Sequence, residues 1–276
     1  MTHLGQIILE QSIMSLVLKS GAIILYLWGW VLHIIRLSDQ NKFSASTVQI
    51  LAAAAILLHG LALYELLFTG AGLDLSLVKI LALLALVINS LVWISAVNKP
   101  LHSLYLVLFP ISILILIAAL TSAGTGSTII FSMDVQIHIL LSVLAYSFLA
   151  IAALQALLCG YQNWQLKHKH QNALMRTLPA LETMETLLFQ IIWLGEIILT
   201  LSLLSGFLVY DNLFEQQLIH KVTFSLLAWF VYAALLFGRQ YYGWRGQRAT
   251  NWTWTGFCAI LLGFIGSKFV IEYLLN

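Results

Sequence analysis

The sequence predicts an all-α polytopic membrane protein, an eight-transmembrane-helix bundle, on three observations. Of its 276 residues, 61% are hydrophobic and only 9% are charged. Soluble domains average about 45–50% apolar and about 25% charged residues, so this chain has too little polar surface for a water-soluble fold. Its mean hydropathy of +0.94 agrees, and long apolar segments recur along the chain. Soluble enzymes, disulfide-rich secreted proteins, disordered proteins and nucleic-acid binders are therefore excluded.

Eight segments each hold about 20 mostly apolar residues, the length that crosses a bilayer as a helix. Turn and breaker residues fill the short connections, so we expect a single integral membrane domain over 1–276 with no extramembrane domain. Pro110 lies inside the fourth span and is expected to release the carbonyl of Leu106 from helical hydrogen bonding. The predicted spans are 13–35, 47–68, 75–96, 101–121, 135–158, 187–210, 217–238 and 251–274.

Lysine and arginine residues are distributed unequally between the two predicted faces. The loops after spans 1, 3, 5 and 7 contain nine of the 13 basic residues, and the opposite face contains four. Basic residues collect on the cytoplasmic side of membrane proteins, so we expect both termini on the outer side. The nine are Arg36, Lys42, Lys99, Lys167, Lys169, Arg176, Arg239, Arg245 and Arg248; the four are Lys19, Lys79, Lys221 and Lys268.

Ionisable side chains inside spans are costly and mark functional sites by default. His59 falls near the middle of span 2, with Ala52 and Ala55 on the same helix face. Small residues there leave room for a close helix or a flat ligand beside the imidazole. The alternative is a buried histidine bonded to a neighbouring helix. His33 and His102 fall at span ends, where an interfacial histidine is ordinary.

Glu196 lies in the middle of span 6 and is the most deeply placed acid. It is either a hydrogen-bonded structural carboxyl, paired with Gln190 or Asn89, or a group that takes part in proton or ion transport. The chain shows no nucleophile elbow, no phosphate-cradling glycine loop and no pair of catalytic carboxylates. We therefore do not expect an enzyme.

His138 and His220 are each the fourth residue of a span that enters from the outer side. Both lie roughly 5 Å beneath that boundary, given the rise of a helix. Two imidazoles at one depth can share one metal ion or one haem iron. Ser142 and Ala145 follow His138 on its helix face and are small. No Glu-x-x-His or His-x-x-x-His pair occurs, so a dedicated zinc or di-iron centre is not expected.

Several runs in the second half of the chain resemble the cytochrome c assembly family, the haem-handling CcsA, CcmC and HemX type. Residues 138–147 (HILLSVLAYS) are similar to the histidine-led span of that family. Residues 199–206 (LTLSLLSG) and 229–233 (WFVYA) resemble the helices that flank its haem-presenting loop. Residues 178–189 (LPALETMETLLF) look like its YpjD-like inner-membrane branch. The resemblance covers 135–276, with His59 as the chief match before it.

The resemblance implies a haem-binding or haem-translocating protein of the bacterial inner membrane, with both termini periplasmic. It implies haem as the cofactor, His138 and His220 as candidate axial ligands of the haem iron near the outer surface, and His59 as a deeper ligand. The implied partners are the lipid bilayer, haem, and another inner-membrane protein or a component of cytochrome c maturation. No nucleic acid is expected.

Two alternatives stay open. The major members of the family carry a tryptophan-rich loop between the spans that match 6 and 7, whereas residues 210–217 here (YDNLFEQQ) contain no tryptophan. This departure favours an accessory or regulatory subunit that has lost haem binding and acts on a partner membrane protein. Glu196 and His59 instead favour a proton- or ion-coupled transporter.

Overall fold

The predicted all-α class is confirmed by a computed structural model, which describes residues 3–39, 42–69, 72–121, 130–169, 173–209 and 216–269. Almost all of these residues are helical, and a two-residue antiparallel ribbon pairs Phe68 with Leu73. The elements are α1 (His3–Ser38), α2 (Ala45–Leu67), β1 (Phe68–Thr69), β2 (Gly72–Leu73), α3 (Leu77–Ala96), a 3₁₀ turn (His102–Leu104), α4 (Tyr105–Thr121), α5 (Met133–Lys167), α6 (Ala173–Thr177), α7 (Leu181–Val209), α8 (Gln216–Tyr242), α9 (Gln247–Leu261), a π-helical turn (Leu262–Gly266) and α10 (Ser267–Phe269).

Seven helical segments in the described part of the chain are long and apolar enough to cross a membrane, as judged by length and composition. The eighth predicted span differs, because its α-helix α9 has 15 residues and passes into the π-helical turn. Residues 270–276 lie outside the described residues, so the count of eight spans is not confirmed. The seven are Ile13–Ser38, Ala45–Leu67, Leu77–Ala96, His102–Thr121, Met133–Lys167, Leu181–Val209 and Ile219–Tyr242.

Three helices extend at least six residues beyond their predicted spans. Helix α1 begins at His3 rather than 13, α5 continues to Lys167 rather than ending at 158, and α7 begins at Leu181 rather than 187. Hydropathy marks where apolar side chains stop, whereas backbone hydrogen bonding continues through polar residues. The extension of α5 also packs, because the Gln162 side chain donates to the carbonyl of Pro179 at 2.8 Å. It thereby holds the segment that leads into α7.

The chain divides into two compact units, which we call the N-terminal unit (Met1–Ile130) and the C-terminal unit (Phe131–Asn276). In the N-terminal unit, α1 and α3 each pack against both α2 and α4. In the C-terminal unit, α5 packs along α7 and also against α9, and α8 packs against α7 and α9.

Three aromatic rings form the centre of the N-terminal unit. Tyr26, Tyr105 and Phe109 are completely buried, and the rings of Tyr105 and Phe109 stack with centroids 4.7 Å apart. Beside them, the indole N–H of Trp30 donates to the carbonyl of Leu106 at 3.0 Å. Pro110, four residues later, has no N–H to donate to that carbonyl. The carbonyl therefore accepts a hydrogen bond from another helix instead. The predicted release of the Leu106 carbonyl is confirmed.

A buried ion pair links the connection between α2 and α3 to the first turn of α3. Asp74 and Lys79 are 2% and 5% exposed, and Lys79 Nζ lies 2.6 Å from Asp74 Oδ2. The amide of Ser76 donates to the other carboxyl oxygen at 3.0 Å. Burial alone would raise the pKa of Asp74, but the hydrogen bonds from Lys79 and Ser76 and the lysine charge outweigh it and hold that pKa below its usual value.

Asp74→Asn is expected to destabilise the protein by about 3–5 kcal/mol, since it leaves the Lys79 ammonium buried without a counter-charge. The double variant Asp74→Asn/Lys79→Met removes both charges and is expected to recover most of that loss. In the native chain the depressed pKa means that the pair stabilises fully above about pH 4 and that this stability disappears as the pH falls through the native pKa. Thermal unfolding in detergent across this pH range measures both effects. An unchanged melting temperature in Asp74→Asn would contradict the assignment.

Candidate functional site

Hydrogen bonds to α7 hold the imidazole of His138 and fix its tautomer. The ring is half-buried, and its Nδ1 lies 3.1 Å from the carbonyl oxygen of Ser202 and 3.0 Å from Oγ of Ser205. A carbonyl oxygen only accepts, and the Ser205 hydroxyl already donates to the Ser202 carbonyl at 2.8 Å. Nδ1 must therefore be the donor. In the neutral ring, the network assigns the proton to Nδ1 and the lone pair to Nε2.

Small residues complete this setting, which we call the His138 cradle (Ser142, Ser202, Ser205 and Gly206). The Ser142 hydroxyl donates to the His138 carbonyl at 2.8 Å and lies 2.7 Å from the Ser202 hydroxyl. Gly206 lies directly beneath the ring, since a Cβ added there would be 2.9 Å from His138 Cε1. Any larger residue at 206 would push the imidazole away from α7.

His220 is exposed near the beginning of α8. Helices α5 and α8 meet further along, where the hydroxyls of Tyr146 and Ser225 lie 3.1 Å apart. The ring of His138 donates its hydrogen bond to α7, a contact that depth along the spans did not indicate. A shared iron between His138 and His220 stays a prediction. The tryptophan-free loop that leads to His220 falls partly on residues 210–215, which lie outside the described residues.

His59 is completely buried in α2, and Ala52 and Ala55 beside it are buried as expected. Its Nδ1 lies 3.3 Å from the hydroxyl of Tyr26, whose ring stands at 88° to the imidazole. Nε2 makes no hydrogen bond of standard geometry among the described residues, although the ring lies close to the backbone of Ala82. His59 thus combines a firmly held ring with one nitrogen that lacks a hydrogen-bond partner.

Glu196 is 6% exposed, and neither of its carboxyl oxygens makes a hydrogen bond. The two partners expected from the sequence are wrong. Asn89 lies in the other unit and donates to Ser112 at 2.7 Å, while Gln190 lies on the same helix and is exposed. Depth in a span does not fix the direction in which a side chain points. Glu196 is therefore a buried carboxyl of the C-terminal unit that has no hydrogen-bond partner among the described residues.

Sequence reasoning missed two features of possible sites. The α7 side of the cradle carries a signal in the sequence, because Ser202, Ser205 and Gly206 recur at helical spacing on a span. His33 carries none: it is 2% exposed with no hydrogen bond at either ring nitrogen, and its position at a span end did not distinguish it from an interfacial histidine. Within the described ranges, no group of three or more His, Cys, Asp or Glu side chains is placed to hold a metal ion.

Comparison with known proteins identifies the family. The family described as "Cytochrome C assembly protein" matches residues 16–275 of this chain. The chain belongs to that family. The expected resemblance, which was specific for 135–276, is confirmed and extends over both units. The chain is therefore a multi-pass membrane protein of a cytochrome c assembly family.

The curated relatives include inner-membrane and cytochrome c biogenesis proteins. Inner membrane protein YpjD of Escherichia coli strain K12 is 39% identical over 134 residues, which are 49% of this chain and 51% of that protein. An uncharacterized 28.8 kDa protein of Azospirillum brasilense is 29% identical over 144 residues, covering 51% of this chain and 53% of that one. Cytochrome c biogenesis protein CcsA of Prochlorococcus marinus strain MIT 9215 is 32% identical over 91 residues, covering 32% and 29%.

The chain thus spans about half the length of the first two relatives and less of the third. No solved structure matches it.

Proposed function

We propose that this chain is a haem-handling protein of the inner membrane and that His138 is an axial ligand of the haem iron. The observation that carries the proposal is the tautomer of His138, in which Nδ1–H donates to the carbonyl of Ser202 and the lone pair belongs to Nε2. Histidines that ligate metals typically donate their other ring N–H in this way, which orients the ring and makes the ligating nitrogen more basic. The donor set of the cradle therefore fits haem, whose iron supplies axial coordination sites for imidazole.

His220 is proposed as the second axial ligand. Helix α5 is antiparallel to α7, because His138 meets Gly206 while Leu149 meets Gly195. The short connection from α7 to α8 makes those two helices antiparallel as well, so α5 and α8 run in the same direction.

The depths of the two histidines support this pairing. The hydrogen bond between Tyr146 and Ser225 marks one level in both helices. Counted along the helix axis toward the N-terminus, His138 lies roughly 12 Å from that level and His220 roughly 8 Å. Two imidazoles that share one iron need coordinating nitrogens roughly 4 Å apart, a distance that ligand binding would have to complete.

His59 is proposed as a ligand at a separate, more deeply buried position in the N-terminal unit. Its support is the nitrogen Nε2, which makes no hydrogen bond, together with the small side chains of Ala52 and Ala55. In this role Nδ1–H would donate to the hydroxyl of Tyr26 and fix the ring. Partners of the whole protein are proposed to be the lipid bilayer, haem, and a component of cytochrome c maturation or another inner-membrane protein.

Haem titration of the purified protein in detergent tests the assignment of His138. The native chain is expected to give a Soret band typical of ligation by two histidines, and His138→Ala is expected to weaken haem binding at least tenfold, which is about 1.4 kcal/mol. His220→Ala is expected to retain binding with a changed Soret position. His168→Ala is the matched control, since His168 is an exposed histidine at the other end of α5. If His138→Ala binds haem as tightly as the native chain, the proposal is wrong and the accessory-subunit alternative remains.

Gly206→Ala is expected to lower haem affinity without removing a ligand, because its Cβ would come within 2.9 Å of His138 Cε1 and displace the ring. Gly60→Ala is the matched control, as a Cβ at that helical glycine meets nothing closer than 3.8 Å. Both variants are compared by haem titration and by thermal unfolding. A Gly206→Ala protein that binds haem as tightly as Gly60→Ala would show that the cradle does not position the ligand.

The orientation with both termini periplasmic is proposed from the uneven distribution of lysine and arginine. Lys167→Cys, in a Cys258→Ser background, places a thiol at the end of α5 that is expected to face the cytoplasm. A membrane-impermeant maleimide is expected to label it only after the membrane has been permeabilised. Labelling in intact cells would show that the orientation is the opposite one.

A further inference from the structure

Three basic side chains lie together at one end of the N-terminal unit. His33 and Arg36 come from the last turns of α1, and His102 begins the 3₁₀ turn before α4. The ring of Tyr105 contacts both imidazoles, with centroid distances of 6.1 Å to His33 and 6.3 Å to His102. Arg36 lies about one helical turn after His33 on α1, and its charge acts on both histidine rings. The haem ligands proposed above do not include any of these groups.

His33 lacks the hydrogen bonds that its burial demands. It is 2% exposed, and neither Nδ1 nor Nε2 has a hydrogen-bond partner. An imidazole carries at least one N–H in each of its forms at ordinary pH, and a buried donor without an acceptor costs about 1–3 kcal/mol. A native structure rarely tolerates such a group unless a water molecule, ion or ligand supplies the acceptor. At least one missing partner of His33 is thus an acceptor.

His102 also presents a donor. The hydroxyl of Tyr105 donates to Oε1 of Gln49 at 3.3 Å, and the same amide ends in an NH₂ group. This NH₂ group lies 3.2 Å from Nδ1 of His102, so Nδ1 accepts. In the neutral ring, the proton is then on Nε2. His102 therefore contributes an N–H to the cluster and no acceptor.

Together the three side chains offer hydrogen-bond donors at one end of the N-terminal unit. His33 and His102 each supply an N–H, and the guanidinium of Arg36 supplies a planar fork of donors that matches oxyanions. Among the described residues, the charged groups that act on the two histidine rings are Arg36 and, for His33, also His102, and no carboxylate is among them. We infer that Arg36, His33 and His102 form a binding site for a phosphate group. Its position at the ends of spanning helices suits either a phospholipid headgroup or a soluble phosphate compound.

Two probes distinguish these sources, and both use the purified full-length chain in phosphate-free detergent without haem. Isothermal titration with inorganic phosphate, against sodium chloride at equal ionic strength, tests a soluble ligand. Native mass spectrometry with phosphatidylglycerol, against diacylglycerol that lacks the phosphate, tests a lipid headgroup. Binding of inorganic phosphate alone indicates a soluble compound, binding of phosphatidylglycerol alone indicates a lipid, and binding of both indicates that the phosphate group suffices.

The variants show whether binding occurs at this cluster. His33→Phe keeps a ring against Tyr105 but removes the nitrogens, and Arg36→Gln removes the charge without touching the buried ring. Each is expected to weaken binding of the positive probe at least tenfold. Lys99→Gln is the matched control, since it removes an exposed basic residue from the connection just before His102, and it is expected to bind as the native chain does.

Arg36→Gln keeps the test decisive if His33→Phe fails to fold, which thermal unfolding reports. The inference is overturned if the native chain binds neither probe, or if folded Arg36→Gln binds as tightly as Lys99→Gln. Because no haem is present, neither result depends on whether His138 ligates iron.

Discussion

The close approach of α5 and α7 is the constraint on which the C-terminal unit depends. Two glycines of α7 permit it: a Cβ at Gly195 would lie 2.7 Å from Leu149 Cδ2, and one at Gly206 would lie 2.9 Å from His138 Cε1. In a bilayer, helices gain little from the hydrophobic effect between them, so close packing and hydrogen bonds hold them together. Close packing and hydrogen bonding both stabilise the interface between α5 and α7. The short distance between these helices that packs Leu149 also brings the Ser202 carbonyl to the His138 ring. The geometry of the candidate ligand is thus a consequence of helix packing.

The N-terminal unit uses a different arrangement, in which buried polar groups join helices around stacked aromatic rings. The indole of Trp30 reaches the carbonyl that Pro110 leaves unbonded, and Asn89 donates to Ser112 across α3 and α4. Such bonds are worth about 0.6–2 kcal/mol each within a membrane. His59 and His33 are buried in the same unit, and each keeps at least one ring nitrogen without a hydrogen bond among the described residues.

Much of this architecture is predictable from the sequence, because apolar length determines spanning helices and proline chemistry is local. The helical class, the burial of His59 and the released Leu106 carbonyl follow in that way. The expected partners of Glu196 were wrong and the environment of His138 was missed for one reason. Span arithmetic gives the depth of a side chain but neither the face it occupies nor the neighbouring helix. The end of α5 was misplaced because polar residues continue a helix that hydropathy no longer marks.

The family is established by the match over residues 16–275, whereas the handling of haem rests on the state of one imidazole. The most direct measurement is ¹⁵N NMR of the histidine-labelled protein in detergent, with the His138 signals assigned by their loss in His138→Gln. The account predicts that the neutral ring of His138 carries its proton on Nδ1. A neutral ring with the proton on Nε2 would contradict it, since the lone pair would then face the Ser202 carbonyl and Nε2 would have none to offer a metal.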